Sequence, residues 1–151
     1  MFNLELPRDV LKGWKVLVVD DEPDSLDVAT LLLEMYGATV FSGVNGIDGL
    51  DKATSVRPDF IISDLSMPKM SGWEMLEKLK SERSTLDIPV IALTAHAMDG
   101  DRNRAIAAGF HNYLSKPLQP ETFVTDLLSL LIDIPSMAAQ LNDRIGKETQ
   151  K

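Results

Sequence analysis

The sequence predicts an α/β fold in which a doubly wound parallel sheet of five strands carries five helices on its two faces. Two observations lead to this. Five short apolar runs, spread between Lys15 and Ser115, alternate strictly with stretches whose apolar residues recur at helical spacing. Such alternation calls for parallel strands joined by helical crossovers, which place helices on both sides of the sheet. The central run, Phe60-Ile61-Ile62, also has no polar face, as a strand buried on both sides requires.

Residues 1–14 read as an extension without an assigned function, with Phe2, Leu4 and Leu6 alternating before Pro7 and with Val10, Leu11 and Trp14 as packing candidates. The first strand is predicted over Lys15–Val19, running into the acidic cluster Asp20-Asp21-Glu22. Pro23 suits a first helical position, and Leu26, Ala29, Leu32, Leu33 and Tyr36 share a helical face until Gly37. A second strand is expected over Ala38–Phe41. It leads into a helix over Gly46–Val56, where Ile47, Leu50 and Ala53 share a face and Arg57-Pro58-Asp59 breaks the pattern. The third strand ends at Asp64, and Pro68 closes it. Ser71 is placed to cap a helix bearing Met75, Leu76 and Leu79. A fourth strand over Pro89–Thr94 ends on a hydroxyl, and a weaker helix over Gly100–Ala108 stops at Gly109. Tyr113–Ser115 is the fifth strand; Lys116-Pro117 follows, and Pro120 opens a last helix to about Ile134. The expected division is an extension over 1–14, one domain over 15–134 and a tail over 135–151.

Composition narrows the function. The 151 residues are 44% hydrophobic and 25% charged, enough for one core and too few for two domains. There is no cysteine, which removes disulfides, thiolate metal sites and thiol nucleophiles and favours a cytoplasmic setting. No apolar run reaches membrane-spanning length, and MFNLELPRD lacks the pattern of an export signal. A net charge of -8 disfavours nucleic acid as a partner, since binding it needs a basic surface. The expected partners are proteins, with no membrane.

In an open α/β sheet the functional crevice lies beyond the carboxyl ends of the strands. Four of those ends carry Asp20-Asp21, Asp64, Thr94 and Lys116. Clustered carboxylates repel unless a cation or a proton sits among them, and magnesium suits an all-oxygen set. Asp21 and Asp64 would ligate directly, the Ser66 carbonyl would add a third oxygen, and Asp20 would act directly or through water. Lys116 and Thr94 would then neutralise a phosphoryl group being transferred to Asp64. Taken singly, each residue has an ordinary structural role: a turn aspartate, a helix-start charge cluster, a turn hydroxyl, a solvated lysine. Their coincidence at four strand ends is what favours a shared function.

Val18-Val19-Asp20-Asp21-Glu22, Ser63-Asp64-Leu65-Ser66-Met67-Pro68, Leu93-Thr94-Ala95 and Tyr113-Leu114-Ser115-Lys116-Pro117 together resemble the response-regulator receiver domain of two-component signalling. The resemblance covers about residues 15–134 and implies a flavodoxin-like sheet of order 2-1-3-4-5. It implies that Asp64 accepts a phosphoryl group from a sensor histidine kinase or phosphotransfer protein, with Asp20, Asp21, Asp64 and Ser66 holding Mg2+. A cis peptide at Lys116-Pro117 is also implied. So is a switch, in which the Thr94 hydroxyl moves to the phosphoryl group and Tyr113 turns inward, changing the face of the fourth helix, fifth strand and fifth helix that a downstream protein target reads. Self-dephosphorylation would be slow at most, with Ser66 and His96 at positions that tune phosphoryl lifetime in the family. His96 and His111 otherwise read as surface residues.

No basic recognition helix follows residue 134 and no G-x-x-x-x-G-K-[ST] loop occurs, so no attached output domain is expected. The 95–101 stretch resembles loops of stand-alone cell-fate regulators and of hybrid-kinase receivers, and Met1 with the polar tail favours a complete protein over a piece of a hybrid kinase. The last helix is apolar over more than one stripe: Val124, Leu128 and Ile132 flank Phe123, Leu127, Leu130, Leu131 and Ile134. That second stripe is expected to meet a partner, a second copy in a homodimer, or the tail, where Met137, Leu141 and Ile145 recur every four residues. A frayed tail is the equal alternative.

Three other readings compete. A haloacid-dehalogenase-like phosphatase shares the Asp, Mg2+, hydroxyl and Lys, but needs an acid where Ser66 stands and a nucleophile after the first strand. A degenerate scaffold would lack some of these polar residues. A flavin carrier of flavodoxin type would place hydroxyls where Asp20-Asp21-Glu22 would repel phosphate.

Overall fold

A computed structural model describes residues 6–95 and 101–149 of the chain. The elements run β1 (Lys15–Val19), α1 (Pro23–Met35), β2 (Thr39–Gly43), α2 (Gly46–Val56), β3 (Phe60–Asp64), α3 (Gly72–Lys80), β4 (Val90–Thr94), α4 (Asp101–Ala108), β5 (Asn112–Ser115), α5 (Phe123–Leu131) and α6 (Pro135–Thr149). All strand pairs are parallel, in the order β2-β1-β3-β4-β5. The fold class and the strand order are as expected; the helices number six rather than five.

Strand periodicity divides the core in two. Val16, Val18, Phe60, Ile62, Ile91 and Leu93 point to the face covered by α1, α5 and α6, while Leu17, Val19, Ile61, Val90 and Ala92 point to α2, α3 and α4. β3 and β4 are buried along their whole length, which is why their sequences carry no polar alternation.

Several boundaries shift for identifiable reasons. The last predicted helix is shorter than expected, ending at Leu131, and the tail forms a helix of its own, α6, with Pro135 as its first residue, where a missing backbone N–H costs nothing. Pro120 lies in a turn before α5 rather than opening it. Strand β2 extends to Gly43 because its ladder to β1 continues through Val18↔Ser42 and Val19↔Gly43. On α2, Ile47 is exposed, while Gly46, Gly49 and Ala53 are the buried residues. The helix lies so near the sheet that a Cβ on Gly49 would come 2.8 Å from the Val19 side chain. Ser71 caps α3 as expected, in a reciprocal capping box with Glu74.

The tail packs as a helix. Met137 and Leu141 on α6 are buried in the same cluster as Val124 and Leu128 on α5, leaving Ile132 exposed. Residues before β1 join them: Val10, Leu11 and Trp14 are buried, and Leu11 N donates to Tyr36 O at the end of α1. The two flanking segments clasp each other. Trp14 Nε1 donates to Gln140 Oε1 at 3.2 Å, Arg144 stacks 4.8 Å above the Trp14 ring, and its guanidinium donates to the Val10 carbonyl at 2.6 Å.

Candidate functional site

At the carboxyl edge of the sheet, β1 delivers Asp20 and Asp21, β3 ends in Asp64, β4 ends in Thr94, and Lys116 follows β5. Their alignment follows from register: Asp64 sits beside Leu93, Thr94 beside Ser115, and Lys116 N donates to the Thr94 carbonyl at 2.8 Å. Carboxylate oxygens of Asp20, Asp21 and Asp64 all lie within 4.8 Å of one another. Asp20, Asp64 and Thr94 are buried, whereas Asp21 and Ser66 are exposed.

The two buried carboxylates are held by nearby backbone. Asp20 Oδ1 accepts from Glu22 N at 2.9 Å, and Asp64 Oδ1 accepts from Leu65 N at 2.8 Å. Gly72, the first residue of α3, presses on the Asp64 main chain and donates from its N to Leu65 O at 2.9 Å. The Lys116-Pro117 peptide bond is cis, as the resemblance implied.

Lys116 supplies the counter-charge. Its Nζ lies 2.5 Å from Glu22 Oε1, 3.0 Å from Asp20 Oδ2 and 3.4 Å from Asp64 Oδ2. Burial pulls the ammonium toward losing its proton, but hydrogen bonds to Glu22 and Asp20 and the charges of Asp20 and Asp64 outweigh it, so its pKa is raised. Asp64 moves up to about 6: burial is the main cause, the Asp20 charge adds to it, and Lys116 and the Leu65 N–H oppose it. At neutral pH the Asp64 carboxyl is therefore ionised in most molecules. Glu22 is held below the ordinary range by its hydrogen bond from Lys116 and by that residue's charge.

The donor set fits a small hard cation. It is all oxygen and clustered, and Asp20 Oδ2 is buried without a well-directed hydrogen bond, although Lys116 stands 3.0 Å away. A buried carboxylate oxygen with a free lone pair is what a metal ligand needs.

Two expected site residues remain, Tyr113 and Ser66. Tyr113 is half-buried three residues back along β5, beside Ala92, and its ring centroid lies 5.7 Å from the Arg102 guanidinium carbon. Ser66 lies two residues past Asp64 with its side chain in solvent. His96 is outside the described residues. His111 is not at this edge; its Nε2 is 2.9 Å from the Leu130 carbonyl. Sequence reasoning placed Glu22 in the acidic cluster but missed its contact with Lys116, and it gave Gly72 no role. A glycine immediately after a capping serine, facing a strand end, was the available signal for a close approach.

Comparison with known proteins bears on this arrangement. Residues 16–128 match the family described as response regulator receiver domain. The polar-differentiation response regulator DivK of Brucella anthropi is 36% identical over 118 residues, covering 78% of this chain and 96% of DivK. Among solved structures, the chemotaxis response regulator CheY4 of Vibrio cholerae superposes with a TM-score of 0.73 at 31% identity, covering 78% of this chain and 98% of CheY4. The receiver domain of sensor histidine kinase PA1611 from Pseudomonas aeruginosa, which has a magnesium ion coordinated in its active-site cleft, superposes with a TM-score of 0.70 at 28% identity, covering 89% of this chain and 98% of its own. With residues 16–128 matched to the family and relatives of this identity covered nearly whole, the chain belongs to the response regulator receiver domain family.

Proposed function

We propose that Asp64 is the phosphoacceptor of a two-component switch. The observation that carries this is the ionisable, buried Asp64 carboxylate set within reach of two further aspartates and 3.4 Å from the Lys116 ammonium. An Asp64 oxygen attacks phosphorus, a P–O bond forms, and the bond to the donor breaks with its electron pair leaving on the donor. From a phosphohistidine of a histidine kinase or phosphotransfer protein, the P–N bond breaks and the imidazole takes up a proton. Asp20, Asp21, Asp64 and the Ser66 carbonyl would hold Mg2+, which when bound supplies positive charge for the phosphoryl oxygens. Lys116 neutralises a further oxygen, and the Thr94 hydroxyl donates to the phosphoryl group after transfer. These roles make the chain a signalling protein with slow self-dephosphorylation at most.

The output follows from the same edge. Between α4, β5 and α5 lies a recess of about 520 Å³, lined in part by Arg102, Tyr113, Lys116, Phe123 and Leu130. It reaches from the lysine of the site to the half-buried Tyr113, which supports Tyr113 as the residue that reports phosphorylation to a downstream protein. The fold of residues 15–134 would carry this switch, with the 1–14 and 135–151 segments as additions to it. A homodimer through α5 would have to use the side bearing Ile132, because Val124 and Leu128 are covered within the chain. Among the described residues, no helix is long and apolar enough to cross a membrane.

The test is incubation of wild type and Asp64→Asn with magnesium and acetyl phosphate, followed by intact mass and free phosphate. One phosphoryl group on wild type alone, released slowly, is expected. Rapid multiple turnover without an adduct would support the phosphatase instead, and no reaction at all would leave a scaffold.

A further inference from the structure

We propose that Glu22 is a positioning residue that holds the Lys116 ammonium back from Asp64, so that a phosphoryl group on Asp64 must win the ammonium from Glu22. This rests on Asp64 being the phosphoacceptor. An ammonium has three N–H donors, and in this site three carboxylates surround it. The shortest of the three contacts is to Glu22 at 2.5 Å, against 3.0 Å to Asp20 and 3.4 Å to Asp64. The residue that Lys116 would serve after phosphorylation is therefore the one it now holds least closely.

Glu22 is built into this position. It is the residue before Pro23, which opens α1, and it takes an extended conformation with φ -92° and ψ 115°. Its own N–H is fixed to Asp20 Oδ1 at 2.9 Å, so the backbone that carries its side chain is tied to the acid cluster. Among the described residues, Asp20, Asp21 and Asp64 are the acids close enough to share a cation, and Glu22 is not one of them. A cation there would draw on the oxygens of Asp20 and Asp64 and leave Glu22 as the partner available to Lys116.

The balance between the two states is uneven. The Glu22 side chain is 62% exposed, and water competes with an exposed ion pair. A phosphoryl group carries roughly 1.5 to 2 negative charges where the Asp64 carboxylate carried one, and it does so in a drier place. Glu22 thus moderates capture of Lys116 without preventing it, and it influences how readily the phosphorylated state forms.

The experiment uses the full chain with saturating magnesium and fluoroberyllate as a phosphoryl mimic, followed by calorimetry. Glu22→Gln is expected to bind about two- to fivefold more tightly than wild type, a range set by the weakness of exposed pairs. Glu22→Asp should fall between the two, and the gain from Glu22→Gln should vanish in a Lys116→Met background. Equal affinities for wild type and Glu22→Gln would overturn the proposal, as would the same gain without the lysine, which would assign the effect to bulk charge. A second readout needs no metal: the Lys116 ammonium resonance in nitrogen-15 NMR should shift in Glu22→Gln and stay in place in Glu34→Gln. An unmoved resonance in both overturns the proposal even where Lys116→Met binds too weakly to measure. Failure of wild type to bind fluoroberyllate would instead overturn the assignment of Asp64, and this inference with it.

Discussion

A Cβ placed on Gly72 would lie 2.1 Å from the carbonyl oxygen of Asp64. The start of α3 thus rests directly on the main chain of the proposed phosphoacceptor. Gly72→Ala is expected to destabilise the fold by about 2–3 kcal/mol, because backbone rather than a flexible side chain must move. Urea denaturation measures this, and the same variant should lose magnesium affinity as Asp64 is displaced. An alanine variant with wild-type stability and affinity would show that the contact relaxes freely.

Asp64 makes stability depend on pH in a known direction. Its folded-state pKa of about 6 lies above the ordinary 3.8, so the folded state binds this proton more tightly than the unfolded state does. The stabilisation from protonated Asp64 is complete below about pH 4 and is lost as pH rises through 6. Without metal, Asp64→Asn should therefore be more stable than wild type at pH 7–8 by about 1–2 kcal/mol, allowing for solvent screening. The advantage should fade by pH 4. Denaturation in chelator across this range checks it, and a difference independent of pH would contradict the shift. Magnesium affinity of wild type should also fall below pH 6, as protons compete for Asp64.

Lys116 is the shared counter-ion of two buried aspartates, Asp20 and Asp64, and of Glu22. In Lys116→Met, Asp20 keeps a buried charge without an ammonium beside it, at a cost of about 2 kcal/mol. Magnesium should restore much of that loss. Thermal melts with and without the ion test this: the rise in midpoint on adding magnesium should be larger in the variant than in wild type.

The packed tail makes a separate prediction. Leu141 has no exposed surface, and Leu141→Ala is expected to cost about 2–4 kcal/mol. Arg144→Ala, which removes the stack on Trp14 and the bond to Val10, should cost about 1 kcal/mol. If both variants unfold at the wild-type denaturant concentration, the helix contributes nothing to the core.

The sheet and the acid edge were legible because both are written in local patterns. Unbroken apolar strands such as Phe60-Ile61-Ile62 identify a parallel sheet, and chemistry in such a sheet gathers where the strands end. What sequence reasoning missed depends on distances between elements. Ile47 shares a helical stripe with Leu50 and Ala53, yet it faces solvent because glycines let α2 lie close to the sheet. The partner of Lys116 could not be read either. Glu22 is 94 residues away in sequence, and nothing local distinguishes it from a helix-start acid. The second stripe of α5 was visible as an excess of apolar residues, but its occupant was not, since a tail of four-residue periodicity fits a packed helix and a frayed end equally well.

The clasp between Trp14 and α6 joins residues 126 apart in sequence, and that of Arg144 with Val10 joins residues 134 apart. Contacts of such separation close large loops, so they form late and add little to the early folding nucleus. Along α6, Met137 and Leu141 are buried, while Ser136, Ala139, Gln140, Asn142 and Asp143 are exposed. With so narrow a hold, α6 can open as a unit while the sheet stays intact. Its amides should exchange with solvent deuterium well before those of β3 and β4. Each such opening would bare part of the apolar cluster that α6 shares with Val124 and Leu128, giving the molecule for a moment an apolar flank of its own.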